Sequence, residues 1–171
     1  VALGFIPRSA LEVPSTTDRL HNIFDLLGSC EFSIHDLSRV QLSLKGIRCP
    51  RFNMPFEAGL AVALNFTGVR HHFAFFEAKE FRLQHSLSDL KAYDPYVHGS
   101  RVNGVLTVLL DLFESSVGRV NAESLFSLYR VVSRDAAIIK KSNGNKLFRA
   151  SSFRQLVFQS QIRARELGYI P

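Results

Sequence analysis

A chain of 171 residues, 46% apolar and 21% charged, has the makeup of a single soluble globular domain whose core needs no disulfide or structural metal. Its two cysteines, Cys30 and Cys49, have neither CxxC spacing nor a matching histidine set, which argues against zinc and for reduced thiols in a cytoplasmic protein. The net charge of +6 is uneven: residues 1–100 are neutral and the whole excess lies in 101–171, while no apolar run approaches the ~20 residues a membrane span needs.

In chain order, Val1–Ile6 is a short unalternating apolar run, which suits a buried parallel strand ending at Pro7, Arg8 and Ser9. It also lacks the basic start and the length of a signal peptide. A helix is predicted to open at Thr17, with Leu20, Ile23, Phe24 and Leu27 on one face and Gly28 as its stop. Cys30–Asp36 reads as a second strand, and 41–53 as a loop. Asn53 is placed to cap the next helix and Pro55 fits its first turn. That helix runs through Leu64 and is apolar on every side, as a buried one should be. His72–Phe76 reads as a third strand, and 84–100 as irregular. Helices follow over Val102–Phe113, from Asn121 to Lys141, and from a capping box of Ser152 and Gln155 to Gly168. The order predicts an α/β fold: a small parallel flavodoxin- or Rossmann-like sheet flanked by helices, with a helical C-terminal region. One domain over 1–171 is expected, with a sheet-forming core and nucleotide crevice in 1–100 and helices in 101–171.

Between Arg51 and Arg70 the only ionisable side chain is Glu57. A carboxylate in an apolar helix is costly unless something pairs with it or uses it. A first-turn acid also gains about 0.3–1 kcal/mol from the helix dipole, but that gain is too small to explain so apolar a setting. Glycosidic-bond cleavage passes through an oxocarbenium-like state that a positioned carboxylate stabilises, which makes Glu57 the catalytic candidate. Ligands of open α/β sheets bind beyond the carboxyl ends of strands, where Asp36, Ser38 and Arg39 are expected. Those residues equally suit a turn held by side-chain to backbone bonds. Arg8, Arg39 and Arg51 are candidate phosphate anchors, since guanidinium binds phosphate bidentately. Ser9 and Asn53 complete the polar set, and Tyr93 or Tyr96 is placed to stack on a base. His98 shares the polar, aromatic stretch of Tyr93, while His35, His71 and His72 are read as packing or hydrogen-bonding residues. No metal is expected.

Cys30-Glu-Phe-Ser-Ile-His-Asp-Leu-Ser38 followed by Asn53-Met-Pro-Phe-Glu-Ala-Gly-Leu-Ala61 resembles TIR-like and nucleoside 2-deoxyribosyltransferase-like domains. In these a strand ends in an Asp-Leu-Ser/Thr turn and a later helix opens with an Asn-x-x-x-Glu-x-Gly-like run. The match spans about residues 1–80 and looks most like bacterial TIR-like proteins of unassigned role. The resemblance implies that Glu57 is a catalytic carboxylate acting on an N-glycosidic bond of NAD or a nucleoside, in bacterial defence or signalling. NAD or a nucleotide would then be substrate or ligand, with no separate cofactor. The alternative is a non-catalytic nucleotide-sensing or oligomerisation module that self-associates. The basic region after residue 100 suits a solvated helical surface better than nucleic acid.

Overall fold

The apolar segment after residue 52 forms the expected helix, and the sheet is organised around it. The computed structural model describes residues 1–14, 18–39, 52–113 and 120–171. They divide into a sheet unit, Leu20–Val108, and a helical unit made of Val1–Arg19 and Leu109–Pro171. Helices α1 (Arg19–Gly28) and α4 (Val102–Leu112) each cross the division.

In the sheet unit, β1 (Phe32–Asp36) is followed in the chain by α2 (Asn53–Phe66) and then by β2 (His72–Glu77). The strands are parallel, Ser33 beside Phe73 and His35 beside Phe75, so α2 is the crossover that parallel pairing requires. Asn53 turns out to be the first helical residue rather than its cap, and the preceding Phe52 makes no capping bond. The helix stops where the Thr67 hydroxyl donates to the Leu64 carbonyl at 2.7 Å and Gly68 turns left-handed at φ 78°.

Side chains alternate across a strand, so Ser33, His35 and Leu37 share a face with Phe73 and Phe75. Against that face α2 lays Ala58 and Val62, which with Leu37, Phe75 and Leu83 form one buried cluster. Met54, Phe73, Leu87, Leu90 and Tyr93 pack around it. Asp36 alternates to the opposite face and is exposed.

The third strand is not the one expected. Val1–Ile6 makes a turn instead, the Gly4 N–H donating to the Val1 carbonyl at 2.9 Å with Gly4 at φ 82°. A left-handed residue in mid-run ends any extended segment there. The sheet is completed by β3 (Tyr96–Val97), inside the stretch expected to be irregular, pairing parallel with Phe76 and Glu77. It is reached through α3 (Arg82–Ser86) and a 3-10 turn at Ser88–Leu90. The strand order is β1-β2-β3, so among the described residues the sheet has no point at which its winding reverses.

In the helical unit, Ser9 caps a short 3-10 helix at Ala10–Glu12. The same unit holds a hairpin of α5 (Ala122–Ser142) and α6 (Ala150–Glu166). Asn121 caps α5 as expected, accepting from the Ser124 N–H at 2.8 Å. Ser152 and Gln155 do not form a capping box. Ser152 is fully buried, donates to the Lys146 carbonyl at 2.8 Å and accepts from Asn143 Nδ2 at 2.9 Å. Gln155 accepts from the same amide at 3.0 Å, so the two clamp the inter-helix turn. Asp135 and Arg163 join the helices by two bonds of 2.9 and 3.2 Å, which hold the Asp135 carboxyl below the usual carboxylate range.

Candidate functional site at the strand ends

The carboxyl ends of the three strands gather a polar group from four chain segments. β1 ends when the Leu37 N–H donates to the Phe76 carbonyl at 2.9 Å and its side chain enters the core. The chain then turns, with Asp36 Oδ1 accepting the Ser38 N–H at 2.9 Å. After β3, His98 is anchored by its own N–H to the Glu77 carbonyl at 2.9 Å. Its ring is buried, with Nε2 at 2.9 Å from Ser38 Oγ and 3.6 Å from Asp36 Oδ1. Asp36, Ser38 and His98 are thus brought together.

The hydrogen-bond directions fix what this group can do. His98 Nδ1 accepts the Ser100 N–H at 3.1 Å, a contact built by left-handed Gly99 and Ser100 at φ 62° and 56°. The ring proton is therefore on Nε2, which donates to Ser38 Oγ and leaves the Ser38 O–H to donate elsewhere. Asp36 is an exposed acceptor beside it. A serine-histidine-aspartate nucleophile needs the carboxylate on one imidazole nitrogen and the hydroxyl on the other. Here both face Nε2, so the group lacks that arrangement and instead sets a carboxylate acceptor and a hydroxyl donor side by side.

Glu77, the last residue of β2, was not a sequence candidate. It is 1% exposed and takes both Nε, at 2.9 Å, and Nη2 of Arg82, while Arg82 Nη2 also reaches the Leu37 carbonyl at 3.3 Å. The pair ties β1, β2 and α3 into one frame below the edge. Gly104 of α4 holds His98 from the other side, since an added Cβ would run into the His98 carbonyl, with the carbonyl carbon only 2.8 Å away.

Glu57 lies in the second turn of α2 and is half-buried. It shares helical spacing with Ala61 and Leu64, both buried, so it belongs to the inward side of the helix. Its neighbour Ala58 shares the core cluster with Leu37, the residue between Asp36 and Ser38. Glu57 therefore belongs to the helix on one face of the sheet, while Asp36 alternates to the opposite face. Arg39 follows Ser38 and is exposed, as is Asn53. Arg51 lies outside the described residues. Arg8 and Ser9 end no strand: they belong to the helical unit, where Arg8 Nε meets Glu12 at 3.1 Å and the Ser9 N–H donates to Glu12 at 2.9 Å. Tyr93 sets its ring edge-on against Phe73 and Phe75, at centroid distances of 5.2 and 5.8 Å.

A second polar cluster lies toward the start of the sheet. The Cys30 carbonyl accepts from His71 Nδ1 at 2.8 Å, so His71 Nε2 is the acceptor for the Ser33 O–H, also at 2.8 Å. Ser33 Oγ in turn accepts from His35 Nε2 at 2.9 Å. This one-way chain ends at His35 Nδ1, buried and without a partner among the described residues. Burial, and then the neighbouring His71, push the His35 pKa down to about 4. Both imidazoles are hydrogen-bonding residues, as expected. Among the described residues no three His, Cys, Asp or Glu side chains stand close enough to hold a metal ion, and no helix is long and apolar enough to cross a membrane.

No protein-family model, curated protein or solved structure matches this chain. The likeness to TIR-like and deoxyribosyltransferase-like domains rests on the residues quoted for it.

Proposed function

We propose that the strand-end edge binds the ribose of a nucleotide and that Glu57 acts on its N-glycosidic bond, with NAD or a related nucleotide or nucleoside as the substrate class. The observation carrying this reading is the Asp36–Ser38 pair oriented by His98: a carboxylate that accepts and a hydroxyl whose proton is left to donate. Such a pair suits a 2′,3′-diol. Arg39, next in the chain and exposed, is the phosphate anchor among the described residues. The C1′–N bond breaks as the base leaves with its electron pair: the nicotinamide of NAD departs neutral, whereas the base of a neutral nucleoside also takes up a proton, which the adding water supplies. The Glu57 carboxylate stabilises the positive charge left on the sugar, or traps C1′, until water adds.

The test incubates the purified chain with NAD and a nucleoside panel beside Glu57→Gln and Asp36→Asn. Base release is expected from the parent chain. Glu57→Gln should lower its rate by about a hundredfold or more. Asp36→Asn should act mainly on KM, as expected of a ground-state contact. Absence of base release at every protein concentration, or full activity in a folded Glu57→Gln variant, overturns the enzyme reading.

A nucleotide sensor without turnover is the second reading. It is favoured by the His98 tautomer, which leaves the Ser38 hydroxyl free to donate in recognition and gives it no imidazole base. Ligand-dependent rise of the melting temperature without base release distinguishes it.

A further inference from the structure

The outward side of α2 carries a pattern that the site does not use. Phe52, Phe56, Gly59, Ala63 and Phe66 are all exposed, the three rings by 61%, 53% and 77%. At 3.6 residues per turn they fall within an arc of about 80°. No charged residue lies among them, and Glu57 sits on the inward side. A monomer gains nothing from leaving three phenylalanines in line on water.

Gly59 sharpens the reading. Glycine inside a helix is a poorer choice than alanine, and its usual reason is close packing within the chain. Here that reason is missing, because a Cβ built on Gly59 meets nothing within 4 Å. The small residues Gly59 and Ala63 make a notch between rings at either end, and the notch faces outward.

Four of these five positions also read the same in both directions. About position 61, Phe56 mirrors Phe66 and Gly59 mirrors Ala63. A two-fold interface demands this property: residue i meets residue j and j meets i. Two antiparallel copies of α2 place each Phe56 against the other's Phe66, while each Gly59 meets the other's Ala63 where the backbones approach most closely. An uncharged face carries no like-charge repulsion against its own copy and offers nothing to an ionic partner.

We infer that α2 is a self-association surface, and that its occupant is the antiparallel α2 of a second copy of this chain. With Phe side chains of about 200 Å², the exposed rings offer about 380 Å² per copy. That is about half of the ~800 Å² a partner contributes to a standard interface. The dimer is therefore of the weak, concentration-dependent class. It does not depend on the ribose-binding reading, because none of its residues belongs to the strand-end group.

The test measures molar mass by sedimentation across a wide range of protein concentration. The parent chain should shift from monomer toward dimer. Phe66→Glu and Gly59→Leu should each weaken association by at least tenfold while circular dichroism stays that of the parent. Both positions face outward, so the fold tolerates the changes. Geometry is read by disulfide trapping after Cys30 and Cys49 are replaced by Ser. Gly59→Cys and Ala63→Cys chains, when mixed, should cross-link to each other faster than either links to itself. A parent chain that stays monomeric at all concentrations overturns the proposal. So does a dimer unaffected by Phe66→Glu, preferential self-linking of Gly59→Cys, or binding of the monomer to vesicles through this face.

Discussion

The buried imidazole chain makes the sheet unit sensitive to mild acid through one residue. His35 is 3% exposed, donates through Nε2 to Ser33 and has no partner for Nδ1 among the described residues. A proton added to Nδ1 would place a buried charge beside His71, on the sheet face that carries Phe75. The unfolded chain holds His35 at the ordinary value of 6.5, the folded chain at about 4. Between these values the unfolded state binds more protons, so stability is fully present above the unfolded value and is lost as pH falls toward the folded one. Linkage gives a loss of about 2.5 kcal/mol between about pH 7 and about pH 4.5, approaching roughly 3 kcal/mol below pH 4. Urea unfolding at stepped pH measures it, with His35→Leu as the reference that keeps a similar volume and removes the titration. The difference between the two curves isolates His35 from the carboxylates that also respond to acid. If His35→Leu and the parent lose stability in parallel over that range, the buried-histidine argument is refuted.

Two further substitutions probe the frame around the strand ends. Gly104→Ala puts a methyl group into the His98 carbonyl; overpacking against backbone should cost about 1–3 kcal/mol. The imidazole NMR signals of His98 should shift with it, whereas unchanged stability and signals would show that α4 yields freely. Glu77→Gln leaves the Arg82 charge without its counter-ion beneath the edge and should cost about 3–5 kcal/mol by chemical denaturation. A loss below about 1 kcal/mol, as for an exposed pair, would mean that Arg82 reaches solvent instead.

The candidate residues of the site were partly legible because each group of them is local. Asp36 and Ser38 follow a strand that composition marks, and Glu57 stands out by contrast with the apolar residues around it. His98 needed more, because its ring reaches Ser38 across sixty residues through a two-residue strand. Two residues show no periodicity, so Tyr96–Val97 is a strand only by virtue of the Phe76 and Glu77 beside it. Glu77 was hidden for another reason. In Glu77-Ala-Lys-Glu80 both acids read as surface charge, yet Glu77 is buried on Arg82 while Glu80 is exposed. Val1–Ile6 misled in the opposite sense: an apolar run of that length suits a buried strand, and the left-handed Gly4 turns it.

Read alone, the chain determined the α/β class, the α2 helix, β1 and β2, and the helical C-terminal region, because periodicity and capping are local properties that each segment carries in its own residues. Tertiary structure alone decided which third strand completes the sheet, which acid is buried, which nitrogen of His98 bears its proton and where Arg8 and Ser9 belong. Those outcomes depend on partners distant in sequence. Burial and hydrogen-bond direction are properties of a pair, and neither member of a pair states them by itself.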